Sequence, residues 1–82
     1  MDDDYQLHRE IMLIEGQRWR YEAVKLDTVR KQTGLSPTRY YQLVAAIVAS
    51  PSVEIAGEFG PTINRLRRLM ERKLQLIRPR VA

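Results

Sequence analysis

Apolar residues recur along the chain at intervals of three and four, the spacing that gathers side chains on one side of an α-helix. Over residues 5 to 20, "YQLHREIMLIEGQRWR", that spacing puts Leu7, Ile11 and Ile14 on one stripe, which Met12 and Trp19 widen. A first helix is expected over this segment. Asp2, Asp3 and Asp4 stand at its start, where backbone amides lack partners and the helix dipole is positive. Gly16 inside it costs about 1 kcal/mol relative to alanine, so a close contact or a bend is expected there. A second helix is expected from Glu22 to Thr33, with Leu26 and Val29 inward and Asp27, Arg30 and Lys31 outward. Gly34 ends it, as a residue in the left-handed conformation often does. Neither proline nor glycine stands near Tyr21, so the pattern also allows the first two helices to be continuous.

Ser36 and Pro37 begin a third helix: the serine can accept from amides of the next turn, and the proline suits a first helical position. The segment "SPTRYYQLVAAIVAS" carries this helix to about Ser50. At 100° per residue Tyr40, Leu43, Val44 and Ile47 share one arc, with Val48 at its margin. Thr38, Arg39, Gln42, Ala45, Ala46 and Ala49 occupy the opposite arc. Residues 51 to 60, "PSVEIAGEFG", read as a loop or a single helical turn from which Val53, Ile55 and Phe59 cover the core. Pro61 then opens a long helix to about residue 78, with Ile63, Leu66, Met70, Leu74 and Ile77 inward. Arg65, Arg68 and Arg72 follow one another at i, i+3 and i+7 on its polar side. Lys73 projects from the apolar side and is expected to reach water along its stem. Pro79 stops the helix, and "RPRVA" is expected to fray. These elements predict an all-α protein, a single domain over residues 1–82 of about four helices, the fourth long, basic and amphipathic.

Composition sharpens this picture. The chain has 82 residues, of which 44% are hydrophobic and six aromatic, so its core must be small. No cysteine is present, which removes disulfides, thiolate metal sites and a cysteine nucleophile together. His8 is the sole histidine, on a helix expected to be exposed, and no spacing of His, Asp and Glu suggests a metal site. Glu15 and Glu22 lie too far apart on a continuous helix to act as a carboxylate pair, and no glycine-rich phosphate loop occurs. No enzymatic activity, cofactor or metal is expected. No apolar run reaches the roughly 20 residues that cross a bilayer, and the acidic start differs from a basic signal peptide, so a cytoplasmic protein without a membrane partner is expected.

The net charge of +4 is unevenly placed. Residues 1 to 29 hold seven acids and four bases, a net of −3, while residues 30 to 82 hold ten bases and three acids, a net of +7. A positive surface of this kind favours a polyanion. Two helices joined by a short glycine-containing turn, over about residues 22–50, are also the sequence form of a helix-turn-helix. In such a unit the second helix enters the DNA major groove by its N-terminal turns. Ser36, Thr38, Arg39 and Gln42 occupy those turns here. Arginine can pair with guanine, glutamine with adenine, and threonine can offer a hydrogen bond or a methyl contact. Arg65, Arg68 and Arg72 are spaced to follow phosphates, and Tyr41, at the boundary of the two arcs, is the fourth phosphate candidate. Tyr40 is expected in the core with its hydroxyl on a surface partner, and Trp19 is expected in the core rather than as a base-stacking platform.

The segments "WRYEAVK", "TGLSPTRYYQLV" and "INRLRRL" together resemble a family of short proteins of actinobacteria and their phages, known as a domain of unknown function. The resemblance covers about Ile14 to Leu69, and "TRYYQ", Thr38 to Gln42, is its most specific part. Arg18 stands where the family pattern has a second tryptophan, and Pro37 where it has a small residue. The resemblance implies a helix-turn-helix protein of bacterial or phage origin. With the residue pattern it gives one expectation: a duplex DNA-binding protein, sequence-specific or general, acting as a transcriptional regulator and associated with the nucleoid. The alternative is a protein-interaction module that docks on a host transcription protein such as RNA polymerase, since the outer face of the third helix has one charge and several alanines. A homodimer through the fourth helix is the third arrangement the pattern allows.

Overall fold

The structure, a computed structural model, describes residues 3–77, with side chains over residues 4–73. Four helices are present and no strand among the described residues: α1 Asp3–Glu15, α2 Glu22–Thr33, α3 Pro37–Ala49 and α4 Val53–Ile77. The expected all-α class is therefore observed. Asp2, the tail from residue 78, and the side chains of Leu74 and Ile77 lie outside what is described.

Helix α1 stops at Glu15, five residues short of the expected end, and α1 and α2 are separate. The last turn closes through the Gly16 amide on the Met12 carbonyl at 2.9 Å and the Gln17 amide on the Ile14 carbonyl at 3.2 Å. Carbonyls at a helix C-terminus need donors from outside the ladder. Here they come from two side chains beyond the helix: Trp19 Nε1, five residues on, donates to the Ile14 carbonyl at 2.8 Å, and Arg65 of α4 donates to the Glu15 carbonyl at 2.5 Å. A Cβ on Gly16 would stand 3.6 Å from Thr62 Oγ1, so α4 passes close to this end. Gly16 thus marks a terminus rather than a bend within a helix.

The next junction follows the sequence closely. Gly34 adopts φ 75°, the left-handed conformation that glycine enters without a Cβ penalty, and its amide returns to the Arg30 carbonyl at 2.9 Å. Thr33 Oγ1 donates to the Val29 carbonyl at 2.6 Å and accepts from the Leu35 amide at 3.2 Å. Ser36 then caps α3 by accepting from the Arg39 amide at 3.2 Å, with Pro37 in the first turn. Only residues 34–36 separate α2 from α3.

Between α3 and α4 the chain turns by 103°. The expected loop over 51–60 is instead helical from Val53. Ser52 Oγ caps this segment by accepting from the Ile55 amide at 3.2 Å, and Ile55 and Phe59, one turn apart, are both buried. That pair anchors a helix which its two glycines alone would not favour. Val53 points away, 86% exposed, and does not cover the core. Pro61 lies inside α4 rather than at its start, just after a break at Phe59 with φ −121° and ψ 26°. The bend accommodates a ring that would otherwise press on the preceding turn and a residue that lacks an amide hydrogen.

One core joins the four helices, and they contribute unequally. Ile11, Met12 and Ile14 come from α1; Tyr40, Val44, Ile47 and Val48 from α3; Ile55, Phe59, Ile63 and Leu66 from α4. Helix α2 buries Val29 alone, with Leu26 partly covered. Its docking therefore leans on polar links to its neighbours. At the far end of α1, Arg9 pairs with Glu58 of α4 at 3.1 Å and Tyr5 donates to the same carboxylate, which draws α1 against α4. His8 is half-buried rather than exposed.

Candidate functional site

Helix α3 has two faces with different duties. Its inner face is closed: Tyr40, Val44, Ile47 and Val48 are each no more than 3% exposed. Its outer arc is open, and Thr38, Arg39, Gln42, Ala45, Ala46 and Ala49 are all exposed. Along this arc Arg39 Nη1 donates to Gln42 Oε1 at 3.5 Å. Ser36, at the start of the same helix, is exposed but spends its acceptor on the cap, leaving its hydroxyl hydrogen to donate outward. The three alanines keep the arc low, so a partner surface can approach the backbone.

The arginines of α4 divide as well. Arg65, Arg68 and Arg72 are exposed and line one shallow groove with Leu69 and Glu71. Arg65 is partly committed, since it closes the end of α1. Arg68 and Arg72 make no ion pair or hydrogen bond among the described residues. Arg67, which the spacing did not single out, donates to the Val48 carbonyl at 2.9 Å and so closes the end of α3. A carbonyl acceptor carries no signal in a sequence, and side-chain periodicity alone could not have found either contact.

Behind α3 lies a group that sequence reasoning did not assemble. Glu15, only 8% exposed at the last position of α1, accepts on one oxygen from Lys25 of α2 at 2.6 Å and from the Tyr40 hydroxyl of α3. Tyr40 is thus in the core as expected, but its hydroxyl meets a buried carboxylate and not a surface partner. Beside it the Tyr41 hydroxyl donates to Glu22. Adjacent residues on a helix diverge by about 100°. Even so, the two tyrosine rings meet edge to face with centroids 5.1 Å apart, and Lys25 Nζ stands 5.8 Å and 5.3 Å from them. Burial, then the hydrogen bond to a carboxylate, pushes both phenols well above the ordinary tyrosine range. Among the described residues no buried side-chain nitrogen or oxygen lacks a partner, so this network is closed.

This arrangement revises the expectation for Glu15 and Glu22. The break after α1 lets both carboxylates line one groove of about 470 Å³, with Lys25 and Tyr41 at the same end and Leu66, Met70 and Lys73 along the other side. Each carboxylate already holds a tyrosine hydroxyl, and Glu15 also holds Lys25, so the pair reads as a helix-docking device. Tyr41, 38% exposed, has its one hydrogen on Glu22, and a phosphate would have to compete with that carboxylate for it. Lys73 is exposed at the rim, as expected. Trp19 is partly buried against the core with its nitrogen occupied, which suits the expected packing role. No group of three or more His, Cys, Asp or Glu that could hold a metal ion occurs among the described residues, and no single helix there is long and apolar enough to cross a membrane.

Glu22, Lys25, Tyr40 and Tyr41 of this network fall in the same segments that carried the resemblance, "WRYEAVK" and "TRYYQ", while Glu15 lies just before them. No curated protein and no solved structure matches the chain. A family model described as Protein of unknown function (DUF3263) matches residues 5–76, which spans all four helices and both faces of α3, and the chain belongs to that family.

Proposed function

We propose that this protein binds duplex DNA through the outer arc of α3 and serves as a transcriptional regulator of bacterial or phage origin, acting at the nucleoid. The observation that carries the reading is the division of α3: its inner face is fully used in packing, while Thr38, Arg39 and Gln42 stand exposed on its first turns without a structural duty. The three-residue turn before it supports a helix-turn-helix, in which that second helix is the one placed in the major groove. Arg39 and Gln42 then face base edges, with Thr38 and Ser36 beside them at the N-terminal end. Arg68 and Arg72, uncommitted on α4, supply phosphate contacts, and Arg65 adds to them with the part of its guanidinium not spent on α1.

Selection of bound duplexes from a random pool, followed by anisotropy titrations, tests this directly. Arg39→Ala should weaken the selected site and relax its sequence preference. Arg68→Ala should weaken all duplexes about equally and lower the slope of log affinity against log salt by about 1. If the purified protein binds no duplex in a salt-dependent way at low ionic strength, the reading fails. One observation favours a second reading: the outer arc carries three exposed alanines and one charge, a surface suited to packing against a helix of a host transcription protein. A stoichiometric protein partner whose capture survives nuclease and is lost with Ala45→Arg would support docking instead.

A further inference from the structure

We propose that the groove between α2, α3 and α4 is the contact surface for a second copy of this chain, packed about a two-fold axis. The argument starts from two charges. Glu22 makes no ion pair among the described residues, and its partner there is the Tyr41 hydroxyl. Lys73, on the opposite side of the same groove, makes neither an ion pair nor a hydrogen bond among those residues. Between them run exposed apolar side chains, Leu69 at 46% and Tyr41 at 38%, with Met70 partly buried beneath.

A surface that holds one unneutralised anion, one unneutralised cation and an apolar strip between them is complementary to its own reverse. In a two-fold contact each patch meets itself turned around, so residue i faces j while j faces i. Glu22 of each protomer then meets Lys73 of its partner, twice, and Leu69 packs near the axis. A foreign partner would need this charge order by coincidence, whereas a second copy supplies it by symmetry. The small core adds a reason for the association, because chains of this size bury a modest share of their surface alone. Gln42 lies about 100° round the α3 axis from Tyr41, so closing the groove leaves the outer arc uncovered. The base-reading arc thus stays free, while on α4 Leu69 also lines the groove of Arg65, Arg68 and Arg72, so the dimer is tested without DNA and either reading can fail by its own experiment.

Sedimentation equilibrium from micromolar to millimolar chain, with helical content followed by circular dichroism, tests the proposal. The native chain should show a monomer–dimer equilibrium. Glu22→Lys alone and Lys73→Glu alone should each raise the dissociation constant by about tenfold or more, because each places two like-charge pairs across the axis. An equimolar mixture of the two variants should dimerise again, since each introduced charge then faces its opposite and the remaining native pair is intact. Glu22→Lys also removes the acceptor of Tyr41, so Leu69→Glu, at an exposed position, provides a second route to the same loss of dimer. A native chain that stays monomeric to millimolar concentration overturns the proposal. So does a mixture that associates no better than its folded components.

Discussion

Replacing Glu15 by alanine should be among the most damaging single changes in this protein, although the residue is a carboxylate at a helix end. The substitution leaves Lys25, whose side chain is 12% exposed, without its counter-charge and leaves the Tyr40 hydroxyl, in a residue 0% exposed, without an acceptor. Breaking one side of a buried pair costs about 3–5 kcal/mol. A domain of this length has a total stability of only about 4–12 kcal/mol. Tyr40→Phe should cost less, about 1.5–3 kcal/mol, because it removes one charge-assisted hydrogen bond and leaves the Glu15–Lys25 pair at 2.6 Å in place. Removing every polar member together, as Glu15→Leu with Lys25→Met and Tyr40→Phe, should return most of the loss, since no charge is then buried unpaired. Urea unfolding followed by circular dichroism gives the three differences directly. The Glu15→Ala melting temperature should fall by roughly 12 °C or more, at about 4 °C or more per kcal/mol. A Glu15→Ala cost below about 1 kcal/mol would refute the reasoning, and so would a triple variant no more stable than the single one.

Three further outcomes follow, one from a buried phenol and two from glycines. The Tyr40 phenol holds its proton far above the usual value of 10.0 because burial and Glu15 disfavour its anion. Below about pH 10 folded and unfolded chains are both protonated there and stability is unaffected. As pH rises further the unfolded phenol ionises first, the folded state binds the extra proton, and stability falls. Stability measured from pH 8 upward should therefore decline from about pH 10, and the decline should be shallower in Tyr40→Phe. Separately, Gly34→Ala should cost about 1–2 kcal/mol through its φ of 75°, even though a Cβ there meets nothing within 4 Å. Gly16→Ala, with no positive φ and its nearest neighbour at 3.4 Å, should stay within about 0.5 kcal/mol in the same thermal melts.

Elements whose ends are written in local chemistry were legible in the sequence. Gly34, Ser36 and Pro37 each act on backbone groups within a few residues, and the α2–α3 turn stands where their spacing predicts it. The inner and outer arcs of α3 were equally readable, because burial sorts side chains by a period the sequence displays. What escaped was set by side chains outside the element itself. The stop of α1 at Glu15 depends on Trp19 and on Arg65, fifty positions away from the carbonyl it meets. The helical start of α4 escaped because Ile55 and Phe59 supply packing that outweighs two glycines. Both errors have one physical origin: tertiary partners decided where local propensity was weak.

The polar network escaped for a related reason, and its placement bears on how α3 can act. Glu15, Lys25 and Tyr40 sit on three different helices, and Glu15 joined them only because α1 ended early. Helix α2 buries a single apolar side chain, so its position against α1 and α3 depends on these polar bonds more than on contact area. Whatever α3 presents on its outer arc is therefore held in register from behind by a carboxylate only 8% exposed. Adjacent tyrosines in "TRYYQ" do this jointly, Tyr40 binding the end of α1 and Tyr41 the start of α2. Tyr40 and Tyr41 thus tie α3 to its neighbours, while Thr38, Arg39 and Gln42, which flank them on the same turns, stay exposed and are the ones the proposed DNA contact would use.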